Sequence, residues 1–253
     1  MIAAFICLSF TNIAGAQSQN GIPVLLYHHV SEDHSDRSGL TISVAEFDRQ
    51  IKLMKTAGFQ TISLQEFIAY MKGSKVKLPE KPILITFDDG YADNYTNAFP
   101  ILKKTEFKAA IFMVGINFDR ENRLSSQNIR EMIGSGLLAV GGHSMTHPDL
   151  TALANRQIQF EVAGSKAKIA RLSRSPVTFF AYPGGYYNLS AMEAVEDAGY
   201  QGAFTVLTGL NNPGRDNIYL LRRIPIFSFT DFDKLLFLLN CNHSKTTLFD
   251  YDS

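Results

Sequence analysis

Tryptophan is missing from this 253-residue chain, cysteine occurs only twice, and 24 basic residues are cancelled by 24 acidic ones. Cys7 lies in the leading apolar segment, so the rest of the chain holds Cys241 alone and no intramolecular disulfide framework is possible. The zero formal charge excludes the electrostatic footprint of a nucleic-acid binder or of a protein held on an anionic membrane. The basic cluster Lys166, Lys168, Arg171 and Arg174 is interleaved with apolar residues and reads as a solvated helix face. Linkers, internal repeats and low-complexity stretches are also lacking. With 45% hydrophobic residues, the composition fits one domain with a sizeable core. Without tryptophan, aromatic contacts fall to 19 Phe and 10 Tyr, and a stripe such as Phe227, Phe229 and Phe232 reads as packing.

The first residues differ from the remainder. Met1 to Gly15 carries no charge, Ile2 to Phe10 is apolar, and Ala14-Gly15-Ala16 offers a small-x-small cleavage pattern. Residues 1–16 therefore read as a secretory signal peptide, although the n-region lacks its usual Lys or Arg. The apolar stretch is shorter than the ~20 residues that span a bilayer. Expected are an exported protein (periplasmic, cell-surface or secreted), no integral membrane span in the mature chain, a catalytic domain over 17–240 and a polar tail over 241–253. Oligomeric state is silent.

Strand-like runs alternate with helical patterns over the rest of the chain. Val24 to Tyr27, Phe59 to Ile62, Ile83 to Phe87, Ala109 to Val114, Leu138 to Gly141, Val177 to Ala181, Gly202 to Val206 and Tyr219 to Ile224 read as strands. Glu46 to Ala57, Leu64 to Met71 behind a Ser63 cap, Asn94 to Leu102, Thr151 to Leu172, Leu189 to Ala198 behind Asn188, and Asp231 to Leu239 read as helices. Such alternation argues for an α/β parallel barrel, a fold that typically occupies ~250 residues.

Four chemically suggestive elements sit where predicted strands end. Asp88-Asp89-Gly90 follows Ile83–Phe87, His143 follows Leu137–Gly142 with His147 four residues on, His28 follows Val24–Tyr27, and Tyr182-Pro183-Gly184-Gly185 follows Val177–Ala181. An Asp-Asp-Gly triplet alone also fits a solvated turn, and a His-x-x-x-His pair alone fits a surface helix. In β/α architectures, however, the C-terminal strand ends carry the active site. Carboxylates and imidazoles gathered there form a donor set for a divalent cation, one aspartate binding it while its neighbour takes a proton from water.

Thr86-Phe87-Asp88-Asp89-Gly90, His143-Ser144-Met145-Thr146-His147-Pro148 and Phe180-Ala181-Tyr182-Pro183-Gly184-Gly185, in this order, resemble the polysaccharide deacetylase (NodB-homology, carbohydrate esterase 4) family. The opening Ile22 to His28 is similar to its exported poly-β-1,6-N-acetylglucosamine deacetylase branch. The resemblance implies a distorted (β/α)7 barrel and a polysaccharide substrate from which N-acetyl groups are hydrolysed. It implies that Asp89, His143 and His147 hold the metal. Zinc is expected from the ligand type, with Co2+ and Ni2+ as alternatives. It implies that Asp88 is the base acting on a water activated at the metal, and that the Tyr182, Pro183, Gly184 loop faces substrate, with a backbone N–H for the oxyanion.

Two departures from the family pattern matter. The late histidine that donates a proton to the leaving amine in most members is replaced at best by His243 in the tail, which makes His28 the better candidate; His29 would point the other way. Ala181 stands where many members have the arginine that orients the base. Arg222 and Arg223 are expected to substitute on the substrate side of the site, and alternation turns only one of them inward. Two other readings use the same residues: an O-acetyl esterase on a glycan, and a catalytically silent carbohydrate-binding protein. Tyr91, Tyr182, Tyr186 and Tyr187 are the aromatic candidates for sugar contact.

Overall fold

The computed structural model describes residues 21–33 and 37–243, so the expected signal peptide lies outside the described residues. Six parallel strands pair in the order Ile22–Tyr27, Pro82–Asp88, Ala109–Met113, Leu138–Gly142, Phe179–Ala181 and Gly202–Phe204. The next stretch of chain closes the curl. Leu221 bridges Phe204 in parallel, and Ile224–Pro225 pairs in parallel with Leu25 and Leu26. The result is the expected distorted seven-stranded α/β barrel with an irregular seventh stave.

Period-2 alternation divides its residues. Leu84 points into the barrel with Ala110, Phe112, Phe179, Ala181 and Phe204, whereas Ile83, Ile85 and Phe87 join the core beneath the outer helices. Gly141 makes room inside, because a Cβ there would lie 2.4 Å from the Phe112 ring. The helix Leu64–Met71 plugs one end with Leu64, Phe67, Ile68 and Met71, and the Phe67 ring lies 5.8 Å from Phe204. Fully burying such a side chain contributes about 1.5–3 kcal/mol. That plug leaves the C-terminal strand ends as the open mouth.

Local signals explain most boundaries. Ser43 caps Val44–Thr56, Ser63 and Glu66 form a reciprocal capping box, and Asn188 caps Leu189–Asp197. The run Phe59 to Ile62 shrinks to Gln60–Thr61, which pairs only with the start of Pro82–Asp88, because Gly58 at φ 83° and the Ser63 cap confine it. The region Tyr219 to Ile224 is not one strand: the Arg223 N–H bonds Leu207 O instead of a neighbouring stave.

The long helix read over Thr151 to Leu172 is broken into a short turn at Leu150–Ala152, a helix Asn155–Gln159, a wide π-helical turn Phe160–Gly164 and a helix Ser165–Ser173. Another π-helical turn, Asn94–Ala98, precedes Phe99–Thr105, where Pro100 supplies no N–H. A further helix, Ser126–Gly134, is capped reciprocally by Ser125 and Asn128. The last helix runs Phe232–His243, with exposed Cys241 in its final turn, and residues 244–253 of the expected polar tail lie outside the described residues.

Candidate active site

Asp88 continues the inward phase of Leu84 and Thr86 and ends its strand 2% exposed. Arg223, fully buried, clamps it from across the barrel: Nη1–H donates to Oδ1 at 2.7 Å and Nη2–H to Oδ2 at 2.8 Å. Nε–H of the same arginine donates to Thr205 O at 2.9 Å, and the guanidinium lies over both the Phe112 and Phe204 rings, 5.7 and 5.9 Å from their centroids. Burial pushes the Asp88 carboxyl up, but Arg223, His143, the bidentate bonds and His28 together outweigh burial and hold it at about 2. Asp88 is thus a ready-ionised carboxylate inside an apolar barrel.

The chain turns sharply after it. Asp89 and Gly90 both take left-handed backbone, φ 70° and 69°, and the Gly90 N–H donates to Asp88 O at 2.9 Å. Aspartate tolerates that region better than most residues. Asn117 and Arg123 donate to the Asp89 carbonyl at 3.3 and 3.2 Å, which fixes the turn and aims the Asp89 side chain at the two histidines. Arg123 also stacks on Tyr91, whose ring lies 3.4 Å from that of His29.

His143 is 2% exposed, and its Nδ1–H donates to Ala181 O at 2.7 Å. That bond fixes the tautomer and leaves the Nε2 lone pair facing the acids, 3.6 Å from Asp89 Oδ1 and 3.8 Å from Asp88 Oδ2. His147 Nε2 lies 3.4 Å from the same Asp89 oxygen. The four-residue spacing is not a helical turn: Ser144 and His147 sit at φ 60° and 66°, and the His147 N–H donates to Ser144 Oγ at 2.9 Å.

One donor atom from each of Asp89, His143 and His147 lies within 4.8 Å of the others. Ligand bonds of ~2.0–2.1 Å in a tetrahedron set donors about 3.3–3.4 Å apart, so the 3.4 and 3.6 Å separations fit a borderline divalent ion. Two neutral imidazoles and a carboxylate are the donor chemistry such an ion takes.

His28 sits beside this group, within electrostatic reach of Asp88, Asp89, Arg223 and His143. Burial chiefly lowers its pKa, against the pull of the two aspartates, and its Nδ1 is buried without a partner among the described residues. Its carbonyl is held by the Asn94 amide at 2.8 Å. His29 turns away and bonds Asp93 at 2.5 Å.

The two arginines separate. Arg223 reaches Asp88, whereas Arg222 is half exposed, passes over Gly209 and comes no closer than 4.0 Å to Asp216.

In the third loop, Pro183 is buried and Gly184 takes φ 60°. The Tyr182 N–H donates to Phe204 O and the Gly185 N–H to Tyr182 O, so neither points to the mouth, and Pro183 has none; Gly184 carries the loop's remaining donor. The Tyr182 ring is buried against Phe180 and Tyr187, and Tyr91 is stacked, so of the four tyrosines Tyr186, 60% exposed and packed over Gly184, is the one that presents its face to solvent.

Glu161, Thr205 and Asn94 escaped the sequence reading. Glu161 had a signal, an acid in the helical stripe Ile158, Val162, Ser165, Ile169; the other two had none, because their partners are distant in sequence.

A family model described as polysaccharide deacetylase matches residues 75–203, a span that includes Asp88, Asp89, His143 and His147 but neither His28 nor Arg223. YxkH of Bacillus subtilis, whose name places it provisionally among polysaccharide deacetylases, is 35% identical over 206 residues, 81% of this chain and 71% of that protein. The poly-β-1,6-N-acetyl-D-glucosamine N-deacetylase of Staphylococcus epidermidis is 31% identical over 208 residues, 73% of this chain and 67% of that one. The crystal structure of a polysaccharide deacetylase from Bacillus cereus is similar with a TM-score of 0.77 and 30% identity, over 87% of this chain and 69% of that chain.

Proposed function

The chain belongs to the polysaccharide deacetylase family, and on that premise we propose that it is an exported, metal-dependent N-deacetylase acting on a polysaccharide that contains N-acetylglucosamine. What supports the reading above all is the pairing of a buried, arginine-clamped carboxylate, Asp88, with a three-donor set on its immediate neighbour Asp89 and on His143 and His147. The name of the S. epidermidis relative supports the sugar. Export and a catalytic unit over 17–240 are proposed from the sequence of residues 1–16; among the described residues no helix is long and apolar enough to cross a membrane.

A divalent ion held by Asp89, His143 and His147, zinc by ligand type, supplies Lewis-acid chemistry toward water and the amide carbonyl. Asp88 takes the proton of the attacking water. Its Oδ2 is the oxygen turned toward His143, and a carboxylate oxygen that accepts one bond from Arg223 keeps a second acceptor direction. Arg223 keeps that carboxylate from rotating and fills the place that Ala181 leaves empty of an arginine. The Gly184 N–H is the donor proposed for the oxyanion. His28 delivers the proton to the departing amine; neutral when buried, it acts after taking up a proton, which the charges of Asp88 and Asp89 favour.

The test is acetate release from N-acetylglucosamine oligomers, β-1,4 and β-1,6, by zinc-loaded protein, compared with chelated protein and with Asp88→Asn. Acetate with matching new amines is expected, falling ~10²–10⁴-fold in Asp88→Asn. Acetate from O-acetyl glycans alone would make the chain an esterase, and oligomer binding without any acetate would make it a silent carbohydrate binder.

A further inference from the structure

Glu161 lies on the π-helical turn Phe160–Gly164, 6% exposed, and directs its hydrogen bonds to the loop between the two histidines and not to the acids of the barrel mouth. Its carboxylate accepts three hydrogen bonds from the short loop joining the two histidines: Met145 N–H at 2.9 Å and Thr146 N–H at 2.8 Å on Oε2, and Thr146 Oγ–H at 2.8 Å on Oε1. From the other side, Gly115 and Ile116 N–H donate to Ser144 O and Met145 O, both at 2.9 Å. A loop with two left-handed residues, Ser144 and His147, has no helix or strand ladder of its own to set its path. A wide π turn displaces its side chains relative to a regular helix, and such turns recur at functional sites.

We propose that Glu161 is a positioning residue that holds the backbone between His143 and His147 so that both Nε2 atoms converge on the Asp89 oxygen. The inference rests on the reading of Asp89, His143 and His147 as metal ligands. Glu161 acts through the loop and touches neither substrate nor ion. Losing its acceptors strands two N–H donors and releases His147, the half-exposed ligand, from its partner His143. Supporting groups of this kind change metal affinity about 10–100-fold when removed.

The experiment is zinc competition against a chromophoric chelator, with no substrate present, on the wild type, Glu161→Gln, Glu161→Ala and Ile169→Ala. Ile169 is buried on the adjoining helix and serves as a control for general loosening. Expected are a severalfold loss of zinc affinity in Glu161→Gln, a loss of about 10–100-fold in Glu161→Ala, and wild-type affinity in Ile169→Ala. Zinc affinity unchanged in both Glu161 variants, or an equal loss in Ile169→Ala, overturns the proposal. Should Glu161→Ala not fold, the nearly isosteric Gln variant decides by the same criterion. A wild-type chain that binds no zinc overturns the metal reading itself, and this inference with it; zinc bound normally but no acetate released counts only against the deacetylase reading.

Discussion

Arg223 grips both oxygens of Asp88 at 2.7 and 2.8 Å across 135 residues of sequence, inside a barrel where neither group meets solvent. The intact pair adds little net stability, since desolvation offsets most of the attraction between buried charges. Removing one partner is another matter. Arg223→Met strands the Asp88 charge and is expected to cost about 3–5 kcal/mol in urea denaturation. Adding Asp88→Asn to Arg223→Met should restore much of that loss, because the orphaned charge disappears with it. Strictly additive losses would show that the two side chains do not act as a pair.

Zinc should stabilise the folded chain, because the donor set of Asp89, His143 and His147 is assembled only by folding. At about 100 times the dissociation constant the gain is about 2.7 kcal/mol, visible as a rise in Tm that a chelator reverses. Asp89→Asn should abolish the rise, and Asp88→Asn should leave most of it. Equal loss in both variants would argue that the two neighbouring aspartates are not divided between binding and base.

Burial lowers the His28 pKa in the folded chain, with Arg223 and His143 adding to the effect and the aspartates opposing it, and burial lowers that of His147 as well. The unfolded chain therefore binds more protons than the folded one once the pH falls below about 6.5. Stability of the metal-free protein should be full above that pH and decline as it drops toward the folded values. Urea midpoints at pH 8 and pH 5.5 measure the decline, and His28→Gln should make it shallower. A variant that keeps the whole wild-type slope would remove His28 from the account.

Gly90 and Gly136 both adopt positive φ, 69° and 76°, but their surroundings differ. A Cβ on Gly90 would lie 2.2 Å from the buried Met113 sulfur, while one on Gly136 meets nothing within 4 Å. Gly136→Ala should cost roughly 1–2 kcal/mol, the backbone term alone. Gly90→Ala should cost more and also weaken zinc binding, because it shifts the Asp89 turn. Equal costs, with zinc binding intact, would mean that Met113 yields without moving that turn.

What the sequence by itself determined is local and periodic. Alternation of apolar residues set Asp88, His28 and His143 at strand ends, caps at Ser63 and Asn188 set helix starts, and the order of three motifs carried the family. Tertiary structure decided whatever depends on contacts between distant segments. It chose Arg223 over Arg222, because barrel closure at Leu221 and Ile224–Pro225 turns one inward while an irregular backbone hides the parity from the sequence. It buried Tyr182 and exposed Tyr186, and it set His143 and His147 on a loop with left-handed residues. It also brought Glu161 to that loop, because a π turn and a broken helix change which face a residue presents, and periodicity alone counts every helix as regular.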